Sequence, residues 1–243
     1  MSRLHKPKAG FWIRFCVALL YPLDGLLFHI KWRHLDRVPA PDRGGVIVAI
    51  NHISIIDTVL MARLVWQSGR VPRFMIKAGV FAKPVLKQIM YGAKQIPVYR
   101  GTSDAAESLR DAVTALEQGE AVVIYPEGTI TRDPGQWPMQ GKTGIARLVL
   151  LSPDTPVVPV GQWGAQKRKG QFARRILTRG TSLASVGEPL DLSRFRGQEP
   201  TAATLREITD EIMSAIRAEV ASLRDEPAPA EFHVPARKRV DKR

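Results

Sequence analysis

GGVIVAINHISIIDT, residues 44–58, is the stretch that decides the fold. Its first half is a short apolar run rich in β-branched residues, which predicts a strand buried on both faces of a sheet. Its second half carries His52 and Asp57 and leads into a helical pattern at residues 57–67. A chain that leaves a buried strand for a helix places polar side chains at the carboxyl edge of the sheet, where open α/β proteins bind ligands.

Short apolar runs alternate with helical patterns along the rest of the chain. Further strands are predicted at residues 73–77, 95–99, 121–126 and 156–160, with a weaker pair at RRILTR (174–179) and TSLASV (181–186). Helices are predicted at residues 57–67, 83–91, 104–118, 143–151 and 201–224. This alternation predicts an α/β fold with a mostly parallel mixed sheet flanked by helices.

Composition limits the class of protein and of partner. A chain of 243 residues with 44% hydrophobic content can bury one core of domain size. The net charge of +13 favours a polyanionic partner, which could be nucleic acid, an anionic membrane surface or a phosphorylated substrate. Cys16 is the only cysteine, so the sequence predicts neither a disulfide framework nor a cysteine metal site, which suits a reducing compartment.

The N-terminal stretch at residues 11–30 is apolar and aromatic but is interrupted by Arg14 and Asp24. Its longest uncharged run, residues 15–23, is shorter than the ~20 apolar residues that cross a bilayer. With basic residues on both sides, it predicts a helix lying in the membrane interface, broken or kinked at Pro22. The alternative is a helix packed on the protein's own core.

These patterns divide the chain into three parts. Residues 1–35 are predicted to be an amphipathic membrane-associating segment, and residues 36–224 the main domain. Residues 225–243 are rich in proline, alanine and charge, which predicts a disordered basic tail. The basic segment at 166–175 is either a solvated loop or a contact for acidic lipid, a phosphorylated carrier or nucleic acid.

The spacing of His52 and Asp57 sets a geometric condition. Five residues along a continuous helix would place the two side chains about 140° apart. A functional pair therefore requires the loop to bend before Ser54, which we predict as the helix N-cap, with Asp57 three residues later in a variant of the capping box. Asp57 would then hold one ring nitrogen and leave the other as a base. The alternative is a capping aspartate beside an unrelated surface histidine.

Two other strand exits carry polar groups. One follows the strand predicted at 121–126, and the other follows the strand at 95–99. If these strands are parallel to the first, their exits share an edge of the sheet with His52. The groups are a carboxylate, a flexible turn, a hydroxyl and a guanidinium, at Glu127, Gly128, Thr129 and Arg100.

Together these blocks resemble the glycerolipid acyltransferases, and among them the 1-acyl-sn-glycerol-3-phosphate acyltransferases. The Asn-His-x-x-x-x-Asp motif of that family stands at residues 51–57 and its arginine-bearing motif, IPVYRG, at 96–101. The Pro-Glu-Gly-Thr motif stands at 126–129 and Val-Pro-Val at 158–160. Four blocks in the family's order make the match specific, although each block alone would be weak.

One motif departs from the family pattern. The family reads Glu-Gly-Thr-Arg-Ser, whereas this chain has Ile130 and Thr131 in the last two places. The phosphate contact that the family assigns to that arginine would pass to another cation. The candidates are Arg132, Lys142 and Lys77.

The resemblance implies transfer of an acyl group from a thioester to the sn-2 hydroxyl of lysophosphatidic acid, giving phosphatidic acid. The donor would be acyl-CoA or acyl carrier protein, with no other cofactor. His52 would take the hydroxyl proton, Asp57 would orient the ring, and Arg100 would hold the acceptor phosphate. Asn51 and Glu127 are assigned to substrate binding, Glu127 through a glycerol hydroxyl or Arg100. Backbone N–H groups near Gly128 and Thr129 would face the oxyanion.

Several alternatives remain open at this point. The acceptor could instead be glycerol 3-phosphate or another lysolipid. A non-enzymatic basic module that docks on a membrane or nucleic acid would explain the charge but not the polar strand exits. For the enzyme we expect an anionic membrane surface as partner, no nucleic acid, and a peripheral or monotopic place on the cytoplasmic face of the cell membrane. No metal is expected, because the other histidines lack ligands at suitable spacing: His5, His29, His34 and His233.

Overall fold

The computed structural model describes residues 9–99, 105–168 and 179–235, along which helices and strands alternate. The helices are α1 (Phe11–Leu27), α2 (Asp57–Gln67), α3 (Pro84–Gly92), α4 (Ala105–Glu117), α5 (Gly144–Leu151) and α6 (Ala202–Arg224). The strands are β1 (Phe28–Arg33), β2 (Val46–Ile50), β3 (Pro72–Lys77), β4 (Ile96–Val98), β5 (Ala121–Ile124), β6 (Val157–Trp163) and β7 (Gly180–Val186). Short 3-10 turns lie at Leu35–Arg37, Pro41–Arg43, Ala78–Val80, Ala165–Arg168 and Ser193–Phe195.

The strands of the described residues form one sheet in the order β1-β7-β6-β2-β5-β3-β4. The five strands from β6 to β4 in that order are parallel to their neighbours, β7 is antiparallel to β6, and β1 is parallel to β7. This confirms the predicted α/β fold with a mostly parallel mixed sheet. The weak strand predicted at 181–186 is also confirmed, whereas its partner at 174–179 lies almost wholly outside the described residues.

Strand β2 lies inside the sheet and is completely buried, which explains its unbroken apolar run. Val46, Val48 and Ile50 face the layer that contains α2, while Ile47 and Ala49 face the layer that contains α4, α5 and α6. Helices α1 and α3 pack beside α2. The sheet is therefore covered on both faces, and its polar groups can reach solvent only at its edges.

Helix α1 packs on the domain, as one of the two alternatives for the N-terminal stretch predicted, and the other alternative, a helix in the membrane interface, stays a prediction. One side packs on the domain: Tyr21 donates to the Ala62 carbonyl at 3.2 Å, and Asp24 is paired with Arg63. The other side exposes a row of large apolar side chains, Phe11, Phe15, Leu19, Leu23 and Leu26. Among the described residues, no helix has the length and apolar character needed to span a bilayer.

Two features of this N-terminal prediction are wrong. The helix is not broken at Pro22, because α1 runs through it. The helix also ends at Leu27, and residues 28–33 form β1 at the edge of the sheet. The membrane-associating segment predicted at residues 1–35 therefore includes a strand of the main domain. FHIKWR alternates buried and exposed side chains, as a strand covered on one face does, but the pattern was too short to separate from the preceding apolar helix.

The predicted disorder of the C-terminal tail is wrong for residues 225–235. Phe232 packs on the core, with the Arg217 guanidinium 4.1 Å from its ring centre. Gln140 donates its backbone N–H to the His233 carbonyl at 3.1 Å. One aromatic anchor thus holds a segment whose overall composition is typical of disorder. Residues 236–243 lie outside the described part of the chain.

Candidate active site

The loop between β2 and α2 returns the imidazole of His52 to the carboxylate of Asp57. The ring Nδ1 lies 3.1 Å from both Oδ1 and Oδ2 of Asp57. Asp57 is fully buried, whereas the His52 side chain is 19% exposed. Because Nδ1 is held by the carboxylate, Nε2 is the ring atom left to accept a proton from a ligand.

Asp57 also shapes the loop that carries His52. Its Oδ2 accepts the backbone N–H groups of Ile53 at 2.9 Å and Ser54 at 2.8 Å. The sequence left two roles open for Asp57, capping the turn or pairing with His52. The carboxylate does both. The loop bend that a functional pair requires is held by the same side chain that receives the imidazole.

The predicted N-cap at Ser54 is wrong. Helix α2 begins at Asp57 and has Ile56 at its N-cap position without a side-chain cap. The Ser54 hydroxyl accepts from the Ile56 N–H at 3.3 Å, a bond within the loop. The other half of the predicted capping box is confirmed, because the Asp57 carboxylate reaches back to the Ser54 N–H at 2.8 Å.

Tyr125, which was not predicted as a site residue, stacks on the imidazole of His52. The two ring centres are 4.2 Å apart and the planes differ by 20°. Phe74 stacks in turn with Tyr125 at 6.2 Å. Burial and the nearby charge of Asp57 raise the pKa of Tyr125 well above its ordinary value, so the phenol stays neutral. The available sequence signal was an aromatic residue immediately before the Pro-Glu-Gly-Thr motif.

Glu127 braces the loop that carries His52. It is 2% exposed, and its Oε1 accepts the backbone N–H of His52 at 2.8 Å while Oε2 accepts that of Met139 at 2.9 Å. Burial raises the pKa of Glu127 to about 8, and the two N–H donors oppose that rise. This carboxyl group therefore fixes the backbone of His52. The predicted contact with Arg100 involves a residue outside the described part of the chain, and the predicted contact with a glycerol hydroxyl stays a prediction.

Asn51 likewise connects two strands. Its side chain donates to the Gln162 carbonyl at 3.1 Å and accepts the Gln162 N–H at 2.8 Å. The Gln162 side chain donates to the Asn51 carbonyl at 2.6 Å. Since Asn51 is fully buried, its predicted role in binding substrate is corrected to one of locking the end of β2 to β6.

A cavity of about 360 Å³ lies at the carboxyl ends of β3, β4 and β5. Its wall includes Gly128 and Tyr125, which stacks on His52, together with two exposed cations, Lys142 and Arg147; His52 and Asp57 themselves are not part of the wall. The Lys142 ammonium lies 3.1 Å from the position that a Cβ atom would occupy at Gly128. With a φ of +68°, Gly128 is a position where a side chain would be both strained and obstructive.

The other predicted phosphate ligands are placed differently. Lys77, at the end of β3, and Arg132 are exposed and do not line this cavity. Arg100 lies outside the described residues, directly after Tyr99, which does line the cavity. The Gly128 N–H donates to the Tyr125 carbonyl at 2.9 Å, so the predicted oxyanion role is wrong for this group. Thr129 is half-buried next to it.

A second cavity, of about 160 Å³ and almost wholly apolar, lies between α1, α2 and α3. Thr58, next to Asp57, and Phe74, which stacks with Tyr125, are part of its wall. Apolar side chains of α1 close it from outside: Ile13, Val17 and Leu20. Within the described ranges, no group of three or more histidine, cysteine or acidic residues is arranged to hold a metal.

Comparison with known proteins gives concordant results. The model of the family described as Acyltransferase matches residues 29–163, which contain the dyad and every strand exit discussed above. The chain is 25% identical over 183 residues to the chloroplastic 1-acyl-sn-glycerol-3-phosphate acyltransferase LPAT1 of Arabidopsis thaliana, covering 72% of this chain and 46% of that protein. It spans about half the length of the chloroplast relatives it matches.

Two bacterial proteins match over most of their length. The 1-acyl-sn-glycerol-3-phosphate acyltransferase of Bacillus subtilis is 23% identical over 207 residues, which cover 84% of this chain and 94% of that protein. The crystal structure of the 1-acyl-sn-glycerophosphate acyltransferase PlsC from Thermotoga maritima superposes with a TM-score of 0.64 at 19% identity, covering 89% of this chain and 81% of that one. The latter match shows the fold. The family model covers more than half of the chain, and the chain therefore belongs to the acyltransferase family.

Proposed function

We propose that the protein moves a fatty acyl group from a thioester donor to the sn-2 hydroxyl of lysophosphatidic acid and so makes phosphatidic acid for phospholipid biosynthesis. The observation that carries this proposal is the His52–Asp57 pair, with one ring nitrogen on a buried carboxylate and the ring partly exposed. Tyr125, which stacks on this ring, also lines the cavity that contains Lys142 and Arg147. Relatives named for this reaction in Arabidopsis and Bacillus support the choice of acceptor.

The chemistry follows from the geometry of the pair. His52 Nε2 takes the proton of the acceptor hydroxyl as its oxygen attacks the thioester carbonyl carbon. Asp57 keeps the other nitrogen protonated and stabilises the imidazolium, as a carboxylate does in a serine-protease triad. When the C–S bond breaks, the sulfur leaves with the electron pair and receives the proton from the imidazolium. The substrate supplies the nucleophile, so no acyl-enzyme is formed.

The acceptor headgroup fits the 360 Å³ cavity. Lys142 and Arg147 line it, and Tyr125, which touches the base, forms part of the same wall. A phosphate bound there would face cations, and its glycerol hydroxyl would be directed toward His52. The family has its arginine at the position of Ile130, two residues after Gly128. The Lys142 side chain occupies the space over Gly128. We infer that Lys142, together with Arg100, binds the phosphate in place of that arginine.

Replacing Lys142 with alanine should raise the KM for lysophosphatidic acid about 10-fold, because removing a hydrogen bond to a charged group costs at least ~1.5 kcal/mol. The KM for the acyl donor should change less than about 2-fold, since only one substrate carries that phosphate. Steady-state kinetics with each substrate varied would measure both. Lys77→Ala and Arg132→Ala are the matched controls, and an equal effect from either would place the phosphate elsewhere.

The apolar cavity beside Thr58 is suited to a fatty acyl chain. It lies on the α2 side of the sheet, next to the dyad, and contains almost no polar surface. Burial of methylene groups there would contribute roughly 0.8 kcal/mol each. The thioester itself would come from acyl-CoA or from acyl carrier protein, both polyanionic donors that suit the net charge of +13.

Helix α1 is the part of the protein that we propose to contact the membrane. Strand β1 is antiparallel to β6 through β7, so its first residue, Phe28, lies at the sheet edge where β6 ends and His52 stands. The exposed apolar row of α1 therefore reaches the active-site edge at Leu26. This supports peripheral or monotopic attachment to an anionic membrane, at the cytoplasmic face where thioester donors are made.

Serine substitutions at Phe11, Leu19 and Leu26 together should reduce binding to anionic vesicles about 10³-fold, because each removes an exposed apolar contact worth ~1.5 kcal/mol when inserted, about one factor of ten. Deleting α1 is a poorer test, since the helix also covers the apolar cavity. Vesicle co-sedimentation would measure binding. Leu151→Ser with Val234→Ser, at apolar residues exposed elsewhere, is the control. Unchanged sedimentation of the triple variant would exclude α1 as the contact.

An assay of the purified protein with labelled acyl-CoA and a panel of acceptors tests the proposed reaction. Lysophosphatidic acid should be the preferred acceptor over glycerol 3-phosphate and other lysolipids. Phosphatidylethanolamine belongs in the panel, because an N-acylphosphatidylethanolamine synthase of Arabidopsis is 29% identical over 120 residues, covering 46% of this chain and 42% of that protein. Transfer to none of these acceptors would favour a basic docking module without activity.

A further inference from the structure

The stacking of Tyr125 on His52 has no part in the reaction as described above. The ring centres are 4.2 Å apart and the ring planes differ by 20°, so the ring of Tyr125 covers one face of the imidazole. The carboxylate of Asp57 holds the ring at Nδ1 and the Cβ–Cγ bond holds it to the backbone, so the motion left to the ring is a small tilt of its plane. An aromatic plane against one face limits this tilt and so steadies the direction of Nε2.

The hydroxyl of Tyr125 contributes less to the interaction with His52 than the aromatic ring does. It is buried beside Asp57 and Thr58, yet within the described residues it makes no hydrogen bond of regular geometry. The phenol also stays neutral, so it carries no charge to His52. The interaction with the imidazole is therefore between the two ring faces, and phenylalanine would reproduce it.

The face of an aromatic ring also attracts a cation within about 6 Å of its centre. His52 becomes a cation when it accepts a proton, and its ring centre is 4.2 Å from that of Tyr125. The other ionisable groups at His52 are Asp57, at Nδ1, and Glu127, which accepts the backbone N–H. The aromatic face adds to the stabilisation that Asp57 provides for the imidazolium.

We propose that Tyr125 is a positioning residue for the proposed acyltransferase reaction: its ring face holds Nε2 of His52 toward the acceptor hydroxyl and stabilises the imidazolium during proton transfer. This inference rests on the proposed function, because the effect of Tyr125 on kcat can be seen only if the protein catalyses acyl transfer. Its physical basis, the effect of the ring face on the protonation of His52, can be measured without a substrate.

Tyr125→Phe and Tyr125→Leu form the matched pair, since both remove the hydroxyl and only leucine removes the aromatic face. Tyr125→Phe should keep kcat within about 2-fold, whereas Tyr125→Leu should lower it about 10-fold, with both KM values nearly unchanged. The acidic limb of the pH–rate profile should move to lower pH in the leucine variant alone. Tyr125→Met, which fills the site better, serves if the leucine variant does not fold.

Titration of the His52 ring by NMR, with His52→Ala identifying its signal, gives the readout that needs no activity. The ring should protonate at lower pH in Tyr125→Leu than in Tyr125→Phe. Equal titration and equal kcat in the two variants would overturn the inference, as would a loss of kcat in Tyr125→Phe equal to that in Tyr125→Leu. If the wild-type protein acylates no acceptor, the proposed function fails, and the titration alone decides whether the aromatic face acts on His52.

Discussion

Replacing His52 with alanine is expected to lower kcat by about 10²- to 10⁴-fold, the range commonly contributed by a general base. Among the described residues, the partly exposed His52 ring presents Nε2 without a hydrogen-bond partner, whereas both oxygens of Glu127 are occupied by backbone N–H groups. The ring makes few packing contacts beyond Tyr125 and Asp57, so the fold should persist. Initial rates at saturating substrates, with circular dichroism for the fold, would measure the effect.

The matched control is His29→Ala, which removes an exposed histidine from β1, three places from β2 in the strand order of the sheet. That variant should keep the wild-type kcat within about 2-fold, as expected for a surface change away from the site. A folded His52→Ala protein with normal turnover would rule out the general-base mechanism. The family membership and the fold would be unaffected by that result.

Replacing Asp57 with asparagine should produce the second large loss, on the order of 10²- to 10⁴-fold in kcat. The carboxylate accepts three N–H groups: that of the imidazole Nδ1 and those of Ile53 and Ser54. An amide of the same shape offers only one accepting oxygen, so its NH₂ group must face a donor. The ring then loses the partner that fixes its tautomer, and the loop loses one of the hydrogen bonds that hold its turn.

A loss of stability should accompany this change, because an unmade bond at a buried donor costs ~1–3 kcal/mol. Asp133→Asn provides the matched control: Asp133 Oδ2 accepts the backbone N–H of Trp137 at 3.0 Å in a turn without a catalytic partner. Both variants should melt at lower temperature, and only Asp57→Asn should also lose kcat. If Asp57→Asn lowered the melting temperature alone, Asp57 would be a turn-capping residue and His52 would act without it.

The elements predicted best from sequence are those with a long or fully buried pattern. Strand β2 and the five predicted helices, α2 to α6, lie within one residue of their predicted bounds, whereas β6 extends three residues beyond its predicted end. In these segments burial alone determines the pattern, because every strand residue or one whole helix face meets the core. The edge strand β1 was not predicted, because it pairs with β7, about 150 residues away in the sequence. The residues around β1 carry no pattern that indicates this pairing.

The site residues likewise divide into those with nearby partners in the sequence and those with distant ones. His52 and Asp57 were found because one loop contains both, and a single bend brings them together. The contacts of Asn51 and Glu127 were not predicted because their partners are Gln162 and the backbone of His52, at separations of 111 and 75 residues. A polar residue at a strand exit can face a ligand or hold the chain, and sequence spacing does not distinguish these cases.

The junction between α1 and β1 would give the protein one fixed orientation at a lipid surface if α1 docks there as proposed. Leu27 ends the helix and Phe28 begins the strand, with no linker between them, and β1 is held to β7 by six paired residues. A peripheral enzyme on a flexible tether tumbles and meets its substrate in only a fraction of its orientations. Here the helix cannot swivel on the domain, so each docking event through its exposed row would present the same edge of the sheet to the bilayer. Substrate capture would then be a two-dimensional search, governed by lateral diffusion of lipids and not by reorientation of the enzyme.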